Sequence, residues 1–385
     1  MKKVGKFFKW VFIILAAIVI GLYVTGYGYI LKGVWVVYLH GHTTAYIDDF
    51  EFFETIEIPA STNPQPWPLH KEYNSIEATK KLSELNDTLG TVAFLIIKND
   101  SIWFEKYFNG FGKNSQTNSF SIAKSVTSAL LGKAIDDGFI KSLNQPVRDF
   151  YPQYVGTNLT VGDLSSMASG LDWDESYFNP FGMTARAYYD DDLADVILKL
   201  KVVDTPGVKF KYLSGNTQLL AMVIQKSLQS SSITLNTYLK ESFWQPMGFE
   251  QPAIWQVDGE ENRLIKAYCC IGSNARDFAR FGKLYKDYGK WNGQQILDST
   301  FVAKSITQRF ADSPEYGYGF WLSDFMGKKI FVMRGILGQY VIVVPEDDLI
   351  IVRLGHTIGE KTKMPFTADF YEYVEEAYKM LEKKQ

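Results

Sequence analysis

Hydrophobic positions in this chain follow three rhythms, and each predicts a different kind of element. Residues 10–31 run for 22 positions without a charged side chain. As a helix that is about 33 Å, close to the roughly 30 Å of a bilayer's hydrocarbon layer. Over 121–138 the apolar residues Ala123, Val126, Leu130, Leu131, Ala134 and Ile135 recur at helical spacing, and Gly138 supplies a stop. Helical patterns also cover 75–85, 218–225, 233–243, 275–288 and 370–381. Strand-like stretches flank this helical middle. Residues 91–97 and 101–108 enclose an Asn99-Asp100 turn and read as a hairpin. Four more stretches, 319–322, 329–333, 340–344 and 349–354, follow near the C-terminus, with Pro345-Glu346-Asp347-Asp348 as a turn. The order predicts an α/β (α+β) fold, with one sheet built from both chain ends and a mostly helical part inserted between them.

Charge orients the N-terminal run. Lys2, Lys3, Lys6 and Lys9 precede it, Lys32 follows alone, and Asp48 and Asp49 come soon after. The excess of lysine on one side places the N-terminus in the cytoplasm and the body outside, in a periplasm or beyond the cell. The run is long for a secretory signal and lacks a small-x-small cleavage site near its end. The expectation is therefore a single-pass anchor that stays attached. Residues 1–32 form the basic tip and transmembrane helix, 33–74 a juxtamembrane segment and strap, and 75–385 the domain. Residues 33–39 are also apolar and suit the membrane interface or the start of the folded part. The strap is marked by Pro59, Pro64, Pro66 and Pro68.

Composition excludes more than it assigns. With 46% hydrophobic and 22% charged residues the chain has material for a core. A net charge of −3 leaves no electrostatic footprint for nucleic acid. The only cysteines, Cys269 and Cys270, are adjacent. A disulfide between neighbours is strained, so two free, buried thiols are expected. The chain contains no Gly-x-Ser-x-Gly elbow, no His-Glu-x-x-His, no Cys-x-x-Cys and no phosphate loop. No metal and no cofactor are expected.

A nucleophilic hydrolase needs a base, and histidine is scarce. His40, His42 and His70 precede the domain, leaving His356. Ser121-Ile122-Ala123-Lys124 offers another solution, because residues three apart on a helix sit one turn above the other. An amine beside a serine hydroxyl can act as its base. One Ser-x-x-Lys is expected by chance in a chain this rich in both residues, so its company matters. Tyr212 lies in a loop just before the helical run at 218–225, flanked by Ser214 and Asn216. Met333-Arg334-Gly335-Ile336 enters a strand, where glycine lets a substrate approach and main-chain N–H groups bind an oxyanion. Taken singly, such a tyrosine is more often core or surface and such a glycine more often a bulge.

The order Ser121-x-x-Lys124, Tyr212-x-Ser214 and a glycine-bearing strand resembles the serine β-lactamase and penicillin-binding-protein superfamily, over about residues 75–380. Two further segments carry the resemblance. Thr160 to Leu171, with Leu164 and Ser169-Gly170, is similar to that family's T-x-x-x-L-L-x-x-x-S-G stretch. Arg276-Asp277-Phe278-Ala279-Arg280-Phe281-Gly282 is similar to its R-D-x-A-R-F-G helix. The class C-like branch, with its carboxylesterases and 6-aminohexanoate-dimer hydrolases, fits best. The resemblance implies a β-lactamase/transpeptidase-like fold with an antiparallel sheet flanked by helices. It implies that Ser121 is the acylated nucleophile, that Lys124 and Tyr212 share the proton work, and that the backbone N–H groups of Ser121 and Ile336 form the oxyanion hole. Ser214 takes the last place of the family's Tyr-x-Asn. Tyr177, after the Ser169-Gly170 turn, and Trp321, ahead of the strand entering Arg334-Gly335, are expected to line the cleft with Ser214 and Gly335.

Met333-Arg334-Gly335 stands where the family's Lys-Thr/Ser-Gly triad grips a substrate carboxylate. The change favours small esters or amides over β-lactams. A cell-wall D-amino-peptide peptidase or a β-lactamase is the alternative enzyme. A non-catalytic, membrane-anchored binding or sensor protein is the alternative of another class, and intact Ser121, Lys124 and Tyr212 argue against it. A free lysine titrates near ~10.4, so burial must bring Lys124 down if it is the base. Otherwise Lys124 stays charged and Tyr212 serves as a phenolate. The sequence leaves both open.

Overall fold

Side chains alternate between the two faces of a strand, and the strands near both chain ends are apolar on both. That pattern demands cover on each side of a sheet. The computed structural model describes residues 2–383. At its centre is a six-stranded antiparallel sheet in the order Ser101–Tyr107, Thr91–Lys98, Leu349–Gly355, Gln339–Val344, Lys328–Gly335, Trp321–Phe325. Its seam joins the two ends of the domain, with Ile96 opposite Ile351 and Phe94 opposite Arg353. Leu95, Ile97, Val341, Val343 and Val352 share one core with Val126 and Leu130 of the helix Ile122–Asp136 and Phe281 of the helix Ala275–Lys286. Phe94, Ile96, Ile342 and Ile351 share the other with Leu82 of the helix Lys80–Thr88 and Val374, Ala377 and Met380 of the helix Ala368–Glu382. The inserted middle is mostly helical, as expected, and includes the helices Met183–Tyr189 and Ser214–Ser227.

A second, four-stranded sheet runs Thr55–Ile58, Ala253–Gln256, Ile271–Ser273, Thr117–Asn118. Strands of two to four residues are too short to leave a readable alternation. Thr55–Ile58 comes from the strap, so packed structure reaches back before residue 75. The proline-rich stretch lies along the body, with Ser61 N–H donating to the Phe249 carbonyl at 2.9 Å and the Trp67 indole to the Arg276 carbonyl at 2.9 Å. The helix expected from residue 75 begins at Lys80, capped by Thr79, whose hydroxyl accepts from Leu82 N–H at 3.0 Å. Asn74 causes the delay: its side chain bonds the carbonyl and N–H of Glu105 at 3.1 and 2.8 Å, holding the chain to the hairpin edge.

The N-terminal run is one helix, Lys2–Val24, of which Lys3–Val24 is long and apolar enough to cross a membrane and buries none of that stretch against the body. It ends seven residues short of Leu31. Gly26, at φ 75°, turns the chain, and a second helix, Tyr29–Val36, packs on the helix Met183–Tyr189. Contact is close, since a Cβ on Gly33 would lie 3.2 Å from the Tyr189 ring. The expectation of free thiols also fails. Cys269 and Cys270 are joined in a disulfide, on a buried turn where Cys270 takes a φ of 78°.

The family-like segments do structural work. Thr160 and Asp163 form a reciprocal cap on the helix Val161–Ser165. Asp277 and the fully buried Arg280 pair at 2.9 Å, and Arg280 also donates to the carbonyls of Met247 and Gln65.

Arg353 is buried completely. Its guanidinium donates to Thr91 Oγ1 at 3.1 Å and to the carbonyls of Leu89 (2.8 Å), Leu337 (2.8 Å), Gly338 (3.0 Å) and Thr357 (2.9 Å). Replacing it with an apolar chain strands several buried acceptors at once. Arg353→Met should lose about 3 kcal/mol or more of stability, measured by denaturant unfolding of the detergent-solubilised chain. A loss below about 1 kcal/mol would mean that these bonds do not hold the segments around Arg353 together.

Candidate active site

The chain enters the site through Asn118, whose N–H donates to the Ile47 carbonyl at 2.6 Å and whose side-chain oxygen accepts from Phe120 N–H at 2.9 Å. Phe120 then takes a left-handed conformation, φ 43°, which costs a non-glycine residue of order 1–3 kcal/mol. That kink turns the short strand Thr117–Asn118 directly into the helix Ile122–Asp136, with Ser121 at its N-cap.

One turn along, Lys124 is 3% exposed. Its Nζ donates to Ser121 Oγ at 2.8 Å and to the Tyr268 carbonyl at 2.8 Å. It also lies 5.2 Å from the centre of the Tyr212 ring and 5.7 Å from that of Tyr268. Tyr212 precedes the helix Ser214–Ser227, and the Ser121 side chain is near enough to its hydroxyl to favour the phenolate. The three residues singled out in the sequence thus meet at one point. Burial brings the Lys124 ammonium down to about 8, against the upward pull of the Glu175 carboxylate. Burial pushes the Tyr212 phenol well above its usual range, opposed by the Ser121 side chain and the charge of Arg334. Neutral amine is then about one lysine in ten at pH 7, while the phenol keeps its proton.

Gly335 ends the strand Lys328–Gly335 against the chain just before Ser121. A Cβ there would sit 2.4 Å from the Ser119 carbonyl oxygen and 3.2 Å from the Phe120 Cβ, so glycine is required by close approach rather than by its φ. Ile336 follows and, with Ser121, lines a cavity of about 200 Å³. Ser214 and Tyr177 line the same cavity. Ser214 does so as an anchor for Glu175, donating its N–H at 2.5 Å and its hydroxyl at 2.7 Å to that carboxylate. Tyr177 donates to the same carboxylate at 2.6 Å. Trp321 lies beside Tyr212, with ring centres 5.1 Å apart, and is not on the cavity wall. His356 packs near Phe111, with ring centres 6.3 Å apart.

Glu175, Tyr268 and Asp49 escaped the sequence reading. Glu175 had a signal, standing two residues before Tyr177. Tyr268 acts through a backbone carbonyl, which leaves none. Asp49 is wholly buried and pushed up to about 6 by burial. It accepts from Tyr188 at 2.7 Å and from Asn118 at 3.2 Å, tying the strap to the approach to Ser121.

Among the described residues no group of three or more His, Cys, Asp or Glu is placed to hold a metal ion. The sequence profile of the beta-lactamase family matches residues 78–370. The chain belongs to the beta-lactamase family. It is a serine hydrolase of that fold. It is 25% identical over 291 residues to the 6-aminohexanoate-dimer hydrolase of Paenarthrobacter ureafaciens, covering 69% of this chain and 72% of that one. A solved Bacillus anthracis structure assigned as a 6-aminohexanoate-dimer hydrolase superposes with a TM-score of 0.71 at 20% identity, covering 91% of this chain and 95% of that one. A family VIII carboxylesterase superposes at 0.59 with 15% identity, covering 79% and 98%. The last two likenesses speak for the fold.

Because Glu175 raises the titration of Lys124 through its charge, removing that charge should move the midpoint further below about 8. Glu175→Gln, followed by NMR of ¹³C-lysine across pH, tests this. An unchanged or raised midpoint would show that Glu175 does not act on the amine.

Proposed function

We propose that this protein is a membrane-anchored serine hydrolase that cleaves esters or amides through an acyl-enzyme on Ser121. The observation that carries the reading is the 2.8 Å bond between the buried Lys124 amine and Ser121 Oγ. The opposite shifts of Lys124 and Tyr212 support a division of labour. Neutral Lys124 takes the Ser121 proton as Oγ attacks the carbonyl carbon. Tyr212, still protonated, passes its proton to the leaving group and recovers one from Lys124. Backbone N–H groups of Ser121 and Ile336 receive the oxyanion, aided by the positive end of the helix behind Ser121. Water then attacks the acyl carbon, and the same groups return Ser121 to its free form.

Substitution of the carboxylate-gripping triad by Met333-Arg334-Gly335 favours esters and amides without a β-lactam carboxylate. Arg334 is engaged elsewhere: it donates to the Pro365 carbonyl at 3.0 Å and lies over Trp321 and Phe366. The helix Lys3–Val24, long and apolar enough to cross a membrane and with its lysines gathered in its N-terminal turns, supports an anchor with the domain on the outer side.

Incubating the full chain in detergent with a fluorophosphonate probe and a p-nitrophenyl ester, with mass spectrometry for the adduct, tests the reading. Label should map to Ser121. Ser121→Ala should abolish it, while Lys124→Ala and Tyr212→Phe should each slow ester turnover by about 10²-fold or more. Wild-type turnover by Ser121→Ala would refute the assignment. Because the neutral amine is the active form, kcat/KM should climb as pH rises and level off above about 8. A profile that falls over that interval would exclude Lys124 as the base.

A further inference from the structure

The cavity over Ser121 has an unusual wall. One side is the helix Tyr29–Val36 and the residues after it, contributing Tyr29, Ile30, Gly33, Val34, Val37 and Tyr38. The lining also includes Phe178 and Pro180. Several of these side chains open to solvent: Val34 is 39% exposed, Tyr38 63% and Phe178 96%. Trp35, Leu39 and Phe181 extend the exposed apolar surface beyond the rim. A contiguous apolar patch on a soluble surface marks an interaction site rather than a neutral one.

What faces this rim follows from chain length. Only residues 25–28 separate the apolar helix ending at Val24 from the wall helix starting at Tyr29. Four residues reach at most about 14 Å when fully extended, and here they are folded into a turn. Tyr27 meets Phe181 edge-on with ring centres 5.6 Å apart, so the rim loop touches the linker itself. Lys32 is pinned to Asp191 at 2.8 Å. If the apolar helix spans the bilayer, the cavity mouth therefore lies at the membrane surface. Its exposed Trp35 and Tyr38 are the residue types that settle at that interface.

The chemistry indicates which part of a substrate enters. Tyr212, the group that passes its proton to the leaving group, stands outside the cavity wall, whereas Ser121 and Ile336 line it. The acyl portion, not the leaving group, faces the cavity. We propose, resting on the Ser121 acyl-enzyme reading and the anchor, that the natural substrate class is an ester or amide of a long apolar acyl chain drawn from the bilayer surface.

The test uses the full chain reconstituted in phosphatidylcholine vesicles, with p-nitrophenyl acetate and p-nitrophenyl dodecanoate as substrates. Wild type should show at least tenfold higher kcat/KM for the dodecanoate. In Val34→Asp/Phe178→Asp that preference should fall at least tenfold. Phe178→Asp alone carries the test if the double variant unfolds, since that side chain is 96% exposed. Labelling of Ser121 by the fluorophosphonate without a chain-length preference in wild type, or with a preference unchanged in the variants, overturns the acyl-chain inference alone. Absence of both labelling and ester turnover overturns it together with the hydrolase reading.

Discussion

The site depends on one buried ammonium. Moving Lys124 from 10.5 to about 8 corresponds to about 3 kcal/mol at 1.36 per unit, which the rest of the fold must offset. The surroundings keep that cost from being cancelled locally. Both hydrogen-bond acceptors of the amine are neutral oxygens, Ser121 Oγ and the Tyr268 carbonyl. A carboxylate in direct contact would hold the proton on. Glu175 is near enough to act through its field, yet its oxygens are occupied by Ser214 and Tyr177. The lysine is thus solvated enough to stay folded inside and poorly enough to release a proton near neutral pH.

Holding those oxygens still requires a rigid frame, and the frame is built from close approaches. The Tyr268 carbonyl belongs to the turn closed by the Cys269–Cys270 bond. Ser121 is aimed by the left-handed Phe120. On the opposite side, Gly335 lets its strand reach the Ser119 carbonyl. Arg353 then gathers the carbonyls of Leu337, Gly338 and Thr357 behind Ile336. Arg353 comes from the strand that pairs with Thr91–Lys98, so the seam between the chain's two ends also sets one wall of the site. The antiparallel sheet is part of the chemistry's geometry, not only its support.

What could be read beforehand tracks the length scale of each signal. The long buried strands such as Thr91–Lys98 and Leu349–Gly355 show as unbroken apolar runs, the helix bearing Ser121 and Lys124 shows by its periodicity, and the three side chains that meet follow from motif order. Short strands such as Thr117–Asn118 carry too few residues for any period. Helix starts drifted where a polar side chain competed, as Asn74 does by bonding the hairpin edge. An uncharged run such as 10–31 has no internal contrast, so only Gly26 and Gly28 hint at the break after Val24. Position along the chain brings Trp321 toward the cleft, and in space its ring lies 5.1 Å from that of Tyr212, beside the cavity rather than on its wall. Backbone groups, including the Tyr268 carbonyl, have no residue-type signature at all.

The N-terminal segment changes how the molecule divides. Its first helix is free of the body, but from Tyr29 onward the chain is part of the site. Tyr29–Val36 walls the cavity. Ile47 and Asp49 bond Asn118, which in turn holds Phe120 N–H, and Thr55–Ile58 completes the sheet behind it. A buried carboxylate is costly unless it is paired or loses its charge. Asp49 meets that cost with bonds to Tyr188 and Asn118, and both partners belong to the site's immediate surroundings. The stretch that reads as a tether is therefore a working piece of the folded body. The body meets the apolar helix in the few residues around Gly26.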